Sequence, residues 1–302
     1  MSNRTLAATF LATFIFSAAI LPGQQLPSNV SIDILTTFDY PGEGNSTEPQ
    51  KINDRGDVAG IFIDSAGANR GFIRFRDGNF SSPIIEPNDT ANFTQARDIN
   101  DSRLVCGYYE DGTDATFHGF FLSEGTFTEF DIPDAINTFV VALNNAGNFA
   151  GGFDTSTGPR QGFESIGGSI VPFSIPGATS TIAFGLNNFD QIVGRYADSG
   201  LIDHCFFRDA DGTLTFPIDP PGSTGTFPFG INDQEVIVGR FDDGSGIGHA
   251  FVFRMPDKFL VYDFPGAILT SFNGINRFGV ICGRYEDSGG IGHGIIARIR
   301  HG

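Results

Sequence analysis

The chain has no tryptophan, two methionines and three cysteines among its 302 residues, and only 18 lysines and arginines against 35 aspartates and glutamates. Each shortage removes something. Without tryptophan there is neither the indole platform on which sugars often stack nor a sialidase Asp-box, although tyrosine and phenylalanine can still stack. Three cysteines cannot build a disulfide framework. A formal net charge of −17 repels nucleic acid and anionic membrane surfaces and leaves cations and basic partners open. The same acidity keeps an exported protein soluble. Three catalytic signatures are also missing: the Gly-x-Ser-x-Gly elbow, His-Glu-x-x-His and the Gly-Lys-Ser/Thr phosphate loop.

Long apolar runs are missing after the first two dozen residues. Residues 1–23 carry Arg4 and then the apolar stretch Leu6 to Ile20, the pattern of a cleaved export signal. That stretch is shorter than the roughly 20 residues a spanning helix needs. The expectation is a secreted protein, extracellular or periplasmic, with no membrane span. Residues 24–302 are left as a single domain.

What is present points to an all-β chain: 40 glycines for turns and 33 phenylalanines for strands. A repeat organises them. Asn53, Asn100, Asn144, Asn187, Asn232 and Asn276 lie 47, 44, 43, 45 and 44 residues apart, marking six units of about 44 residues. Seven residues after each anchor stands glycine (Gly60, Gly107, Gly151, Gly194, Gly239, Gly283). Two further on stands an aromatic ring (Phe62, Tyr109, Phe153, Tyr196, Phe241, Tyr285). A polar residue then opens the next strand, at Arg70, His118, Gln161, His204, His249 and His293, with a large apolar residue two beyond it. A spacing of two puts both on one strand face.

Each unit parses into four short strands, as one propeller blade does. The last unit stops without a fourth strand, whereas Phe38-Asp39-Tyr40-Pro41 carries that element ahead of the first anchor. The reading is a six-bladed β-propeller of four-stranded blades, with the N-terminal strand closing the last blade and leaving no open edge. A β-solenoid is the alternative, and it would need no permuted strand. The motif His249-Ala250-Phe251, its variants at His118 and His293, and the elements Ile231-Asn232-Asp233 and Val238-Gly239-Arg240-Phe241 resemble the HAF family of extracellular repeats. The resemblance implies a secreted bacterial repeat protein and carries no activity to transfer. Arg70 and Gln161 depart from it.

Candidate chemistry is sparse. His118, His204, His249 and His293 are expected to be structural, each bonded to the aspartate six or seven residues earlier or to its loop, because equivalent positions on successive blades lie too far apart to share a metal. Asp242, Asp243 and Asp287 sit in Asp-Ser-Gly loops and are weak calcium candidates; turn chemistry explains the same residues, and no other cofactor is implied. Arg195, Arg240 and Arg284 share one position that holds Ile61, Tyr108 and Gly152 in the first three units. They are the ligand-binding candidates, as an anion-holding arc, or else they bridge neighbouring blades. Cys106 and Cys282, at one repeat position, and Cys205 are expected to be buried free thiols. The functional reading is a monomeric, non-catalytic binding or scaffold propeller for an extracellular protein or glycan. The alternative is an extracellular hydrolase or lyase with its active site at the axial mouth.

Overall fold

The computed structural model describes residues 30–42, 46–256 and 258–301; the expected export segment over residues 1–23 lies outside the described residues. The described chain is all-β, with no helix among those residues. The fourth unit shows the pattern. Ser180–Leu186, Ile192–Ala197, Asp203–Arg208 and Leu214–Thr215 pair antiparallel in chain order. The second and third units form separate four-stranded sheets of the same kind, from Thr94–Ile99 to Thr126–Phe130 and from Asn137–Leu143 to Ser169–Phe173. The fifth, running from Gly225–Ile231 to Lys258–Tyr262, is joined to the sixth by one parallel bridge, Gly248 to Leu269.

The first and sixth units differ from that pattern. Beside the last strand, Gly292–His301, lies Val30–Phe38, antiparallel, with Phe38 opposite Gly294 and Ile32 opposite Ile299. In the first unit Ser46–Ile52, Val58–Ile63 and Asn69–Arg74 pair normally, but the fourth position holds only two isolated bridges, Arg74 to Phe80 and Gly71 to Ile84. Pro83 interrupts it there, having no N–H to give to a ladder. A parallel bridge from Ser46 to Gly292 brings the sixth unit back against the first.

Two local features explain the invariant sequence positions. Every inner strand has a bulge ahead of its anchor asparagine, as between Ala183 and Gly185 or Pro228 and Gly230. It turns a carbonyl toward the glycine of the paired strand: a Cβ on Gly194 or Gly239 would collide with the carbonyl oxygen of Ile182 or Phe227 and with the ring of Phe206 or Phe251. Those rings, with Phe72, Phe120, Phe163 and Ile295, are completely buried in all six units. Each contributes about 1.5–3 kcal/mol of burial. The core is a series of clusters shared by neighbouring units; Val193, Ile237 and Phe251 join the fourth to the fifth, and Ile52, Val58, Cys282 and Ile296 join the first to the sixth.

Candidate functional site at the ends of the inner strands

The six inner strands converge on one axis, and their anchor asparagines form a ring. Nδ2 of Asn53 donates to the carbonyl of Asn100, Asn100 to Asn144, Asn144 to Asn187, Asn187 to Asn232 and Asn232 to Asn276, at 3.0–3.2 Å. Asn276 then donates to Asn53 at 3.1 Å, across 223 residues of chain. Each Oδ1 meanwhile accepts backbone N–H groups of its own turn, as from Gln234 and Val236 to Asn232. A second tier repeats the connection one residue on: the Asp54 N–H donates to Asp101, Asp101 to Asn145, Asn145 to Asn188, and Asn188 to Asp233. Arg277 donates its own N–H to Asp54 and pairs with it at 3.2 Å. The two tiers enclose a cavity of about 70 Å³ lined by residues of all six units.

Below the ring the symmetry breaks. Two residues before the anchor stand Lys51 and Asp98 where the other units have Ala142, Gly185, Gly230 and Gly274. Both are buried. Lys51 Nζ crosses the axis and donates to the carbonyl of Phe184 in the fourth unit, at 2.9 Å. Asp98 accepts N–H groups from Ile99 at 2.7 Å and Leu143 at 2.9 Å. Burial pushes its carboxyl up to about 6 and lowers the Lys51 ammonium. Gly274 is required beside Lys51, in the adjoining sixth unit, since a Cβ there would lie 2.7 Å from Lys51 Cα. Sequence reasoning missed this pair. The signal was available: two charges at a repeat position otherwise filled by the smallest residues.

At the other end of the inner strands lie Arg195, Arg240 and Arg284, directly opposite Ile182, Phe227 and Ser271. Each of the three lies near a carboxylate, although the buried Nε of Arg240 makes no hydrogen bond. Arg195 pairs with Asp203 at 3.4 Å and Arg240 with Asp242 at 3.2 Å, both within their own units. Arg284 pairs with Glu286 at 3.0 Å and with Glu48 of the first unit at 2.8 Å. Bridging between units thus holds for Arg284 alone. The guanidiniums also lie over rings: Arg240 is 4.4 Å and Arg195 5.6 Å from the Phe227 centroid, and Arg195 is 5.6 Å from that of Phe184. Their side chains stay 19–29% exposed. Arg97 joins the same end, half-buried and bonded to Gln95 at 3.3 Å.

The histidines sit elsewhere, on the third strands, and their closest partner is not the expected one. Nδ1 of His118, His204, His249 and His293 meets Asp131, Asp219, Asp263 and Asp39 at 2.7–2.9 Å. Strand register explains the difference: Ala250 pairs with Tyr262, so the next position sets Asp263 beside His249. The earlier aspartates Asp198, Asp243 and Asp287 lie 3.4–3.6 Å from Nε2 of His204, His249 and His293. Each imidazole also stacks on the aromatic of the preceding strand, 4.9–5.5 Å between centroids. Burial lowers the His118 and His204 pKa, but the bonded aspartates outweigh it and the net shift is upward.

No protein-family model and no curated protein matches this chain. Solved structures do. A lectin of Aleuria aurantia bound to Fucα1-6GlcNAc superposes with a TM-score of 0.56 at 11% identity, covering 83% of this chain and 91% of the lectin. The β-propeller domain of the Trilobed protease of Pyrococcus furiosus gives 0.51 at 10% identity, covering 82% and 80%. The fold is a β-propeller. A gluconolactonase of Xanthomonas campestris also matches, with a TM-score of 0.51 at 10% identity over 85% and 87% of the two chains. At such identities the likeness carries the fold alone.

In this propeller the calcium candidates make turn and strand contacts. Oδ1 of Asp243 accepts N–H groups of Ser245 and Ile247, Oδ1 of Asp287 those of Gly289 and Ile291, and Asp242 faces Arg240. Among the described residues one group brings metal-ligating atoms within 4.8 Å of one another: His118, Glu129 and Asp131. Cys106, Cys205 and Cys282 are buried free thiols, with burial raising all three and pushing Cys282 up to about 12.

Proposed function

We propose that this chain is an exported, non-catalytic glycan-binding propeller of six four-stranded blades, with its ligand at the arginine end of the axis. The observation that carries the reading is the cluster of half-buried rings and guanidiniums there: Arg195 and Arg240 lie 5.6 and 4.4 Å from the Phe227 centroid, Arg195 also lies 5.6 Å from that of Phe184, and Arg284 is close enough to Arg240 to act on its charge. A sugar is an apolar ring face edged with hydroxyls. Aromatic faces flanked by guanidinium–carboxylate pairs offer stacking, donors and acceptors together. Because a carboxylate lies within 3.4 Å of every arginine of the arc, a net anionic ligand gains little there, while the unbonded Nε of Arg240 leaves a donor for a hydroxyl. The lectin likeness is consistent with this choice of ligand. The ionisable pair inside the channel, Lys51 and Asp98, is occupied by backbone hydrogen bonds, which favours binding over catalysis.

Two contacts support six blades closed by the N-terminal strand. Val30–Phe38 pairs along Gly292–His301, and the asparagine ring returns from Asn276 to Asn53. The ligand reading is tested by calorimetric titration with neutral and uronic-acid oligosaccharides at low and high salt. A neutral oligosaccharide should bind with little salt dependence, and Arg240→Met should weaken it about ten-fold, equivalent to about 1.4 kcal/mol. Absence of binding across the panel, or binding indifferent to Arg240→Met, removes the arc as the site.

A further inference from the structure

The first unit differs from four of its neighbours at one place. In the second, fourth, fifth and sixth units a histidine on the third strand pairs with an aspartate just past the fourth, and the imidazole stacks on the aromatic next to it. In the first unit the same three positions hold Arg70, Ile85 and Phe62, as the pairing of Phe62 with Arg70 and the bridge from Gly71 to Ile84 establish. Ile85 cannot pair with Arg70. The guanidinium is held instead by Asp64 at 3.3 Å, Asn92 at 2.8 Å and Asp89 at 3.6 Å. Beside this arginine is an open cleft of about 480 Å³, bounded by Tyr40, Pro41, Phe62, Asp64, Arg70, Pro83 and Ile85. That size lies within the usual range for small-molecule sites.

We propose that this cleft is a second binding site, for the apolar face of a neutral pyranose. Its existence does not depend on the arginine arc. The Tyr40 ring is rigid, stacked on Phe62 at 3.8 Å and 6° with its hydroxyl donating to the Ser81 carbonyl at 3.1 Å. Pro41, Pro83 and Ile85, the last 43% exposed, supply the remaining apolar wall. Asp64 and Arg70 form the polar side, an acceptor and a donor already neutralising each other. A charged ligand would have to break that pair, whereas hydroxyls can bridge it without adding charge. A ring with one apolar face and edge hydroxyls meets both walls at once.

The repeat itself supplies the test. The double variant R70H/I85D rebuilds the histidine–aspartate pair that four other units use and replaces the apolar wall at Ile85 and the donor at Arg70. Ile85→Arg, at an exposed position, blocks it independently. The probes are the methyl glycosides of glucose, galactose, mannose and fucose, methyl glucuronide and a tetraproline peptide, read by saturation-transfer NMR with the melting temperature followed in parallel. The expected result is weak binding of a neutral methyl glycoside to the wild-type protein. Both cleft variants, made in an Arg240→Met background so that any binding at the arc is already weakened, should lose it at least ten-fold with the melting temperature retained. Three results overturn the proposal: no glycoside bound, binding indifferent to both cleft variants, or preference for methyl glucuronide or the peptide. Binding abolished by Arg240→Met alone would overturn the cleft and keep the arc; binding that survives Arg240→Met and is lost in the cleft variants supports the cleft and leaves the arc to its own oligosaccharide titration.

Discussion

The two ends of the inner strands are built on opposite plans. At the asparagine end six identical side chains each donate to the next unit and accept from their own turn, and the last one bonds to the first. At the arginine end the equivalent positions are Ile61, Tyr108, Gly152, Arg195, Arg240 and Arg284, and no two neighbours are matched in the same way. A repeated ring gains stability from identity, because each unit satisfies the next and leaves no terminal group unpaired. Recognition gains nothing from identity, since a single asymmetric ligand meets a ring at particular positions. Where the repeat is kept, the residues hold the fold; where it lapses, in the arc, in Lys51 and Asp98 and in the first unit's cleft, other roles become available.

The largest effect should come from breaking the regular part at its seam. Removing residues 24–42 deletes Val30–Phe38, exposes the strand Gly292–His301 and uncovers Ile295 and Ile296. The melting temperature should fall by more than about 10 °C, several kcal/mol on the usual scale. A scan that does not move would remove ring closure from the account. Next comes Asn232→Ala, which deletes one donor and two acceptor contacts of a residue 5% exposed. A loss of about 2–3 kcal/mol by urea denaturation is expected, with similar losses for Asn144 and Asn276. Unequal losses would mean the ring is not one cooperative structure.

The smallest effect probes the asymmetric pair in the channel. The Asp98 carboxyl is held up at about 6 by burial, against a reference value of 3.8. Between those values the folded protein keeps a proton that the unfolded chain has released, so this group withdraws stability as pH rises from about 4 to about 6 and changes nothing above. Asp98→Asn removes that dependence. Its stability relative to wild type should therefore rise from pH 4 to pH 6 and then stay level in denaturation midpoints. A constant difference across that range would show that the carboxyl titrates normally.

Much of this was legible from residue identity. The six asparagines, the glycine and aromatic that follow each and the buried third-strand ring are spaced along the chain as they are because each has one role repeated six times, and periodicity exposes a repeated role. The expectation that His249 bonds to Asp243 put the nearer aspartate in sequence ahead of the nearer one in space; cross-strand register places Asp263 beside it at 2.8 Å. The arginine arc was visible as a break in the repeat, but its partners were not, since Asp203 and Asp242 lie in the same units and only Arg284 reaches the next.

The sequence by itself determined the class, the repeat length, the turn positions and the residues that must be small, because those follow from backbone sterics and local spacing. The tertiary structure alone decided what happens across the axis and between units. There side chains far apart in the chain meet. Lys51 reaches the carbonyl of Phe184, Asn276 closes on Asn53, and Arg70 turns to Asp64 and Asn92 and leaves a cleft beside it. Such contacts depend on the angle between units, a quantity summed over many small packing choices that no single residue records.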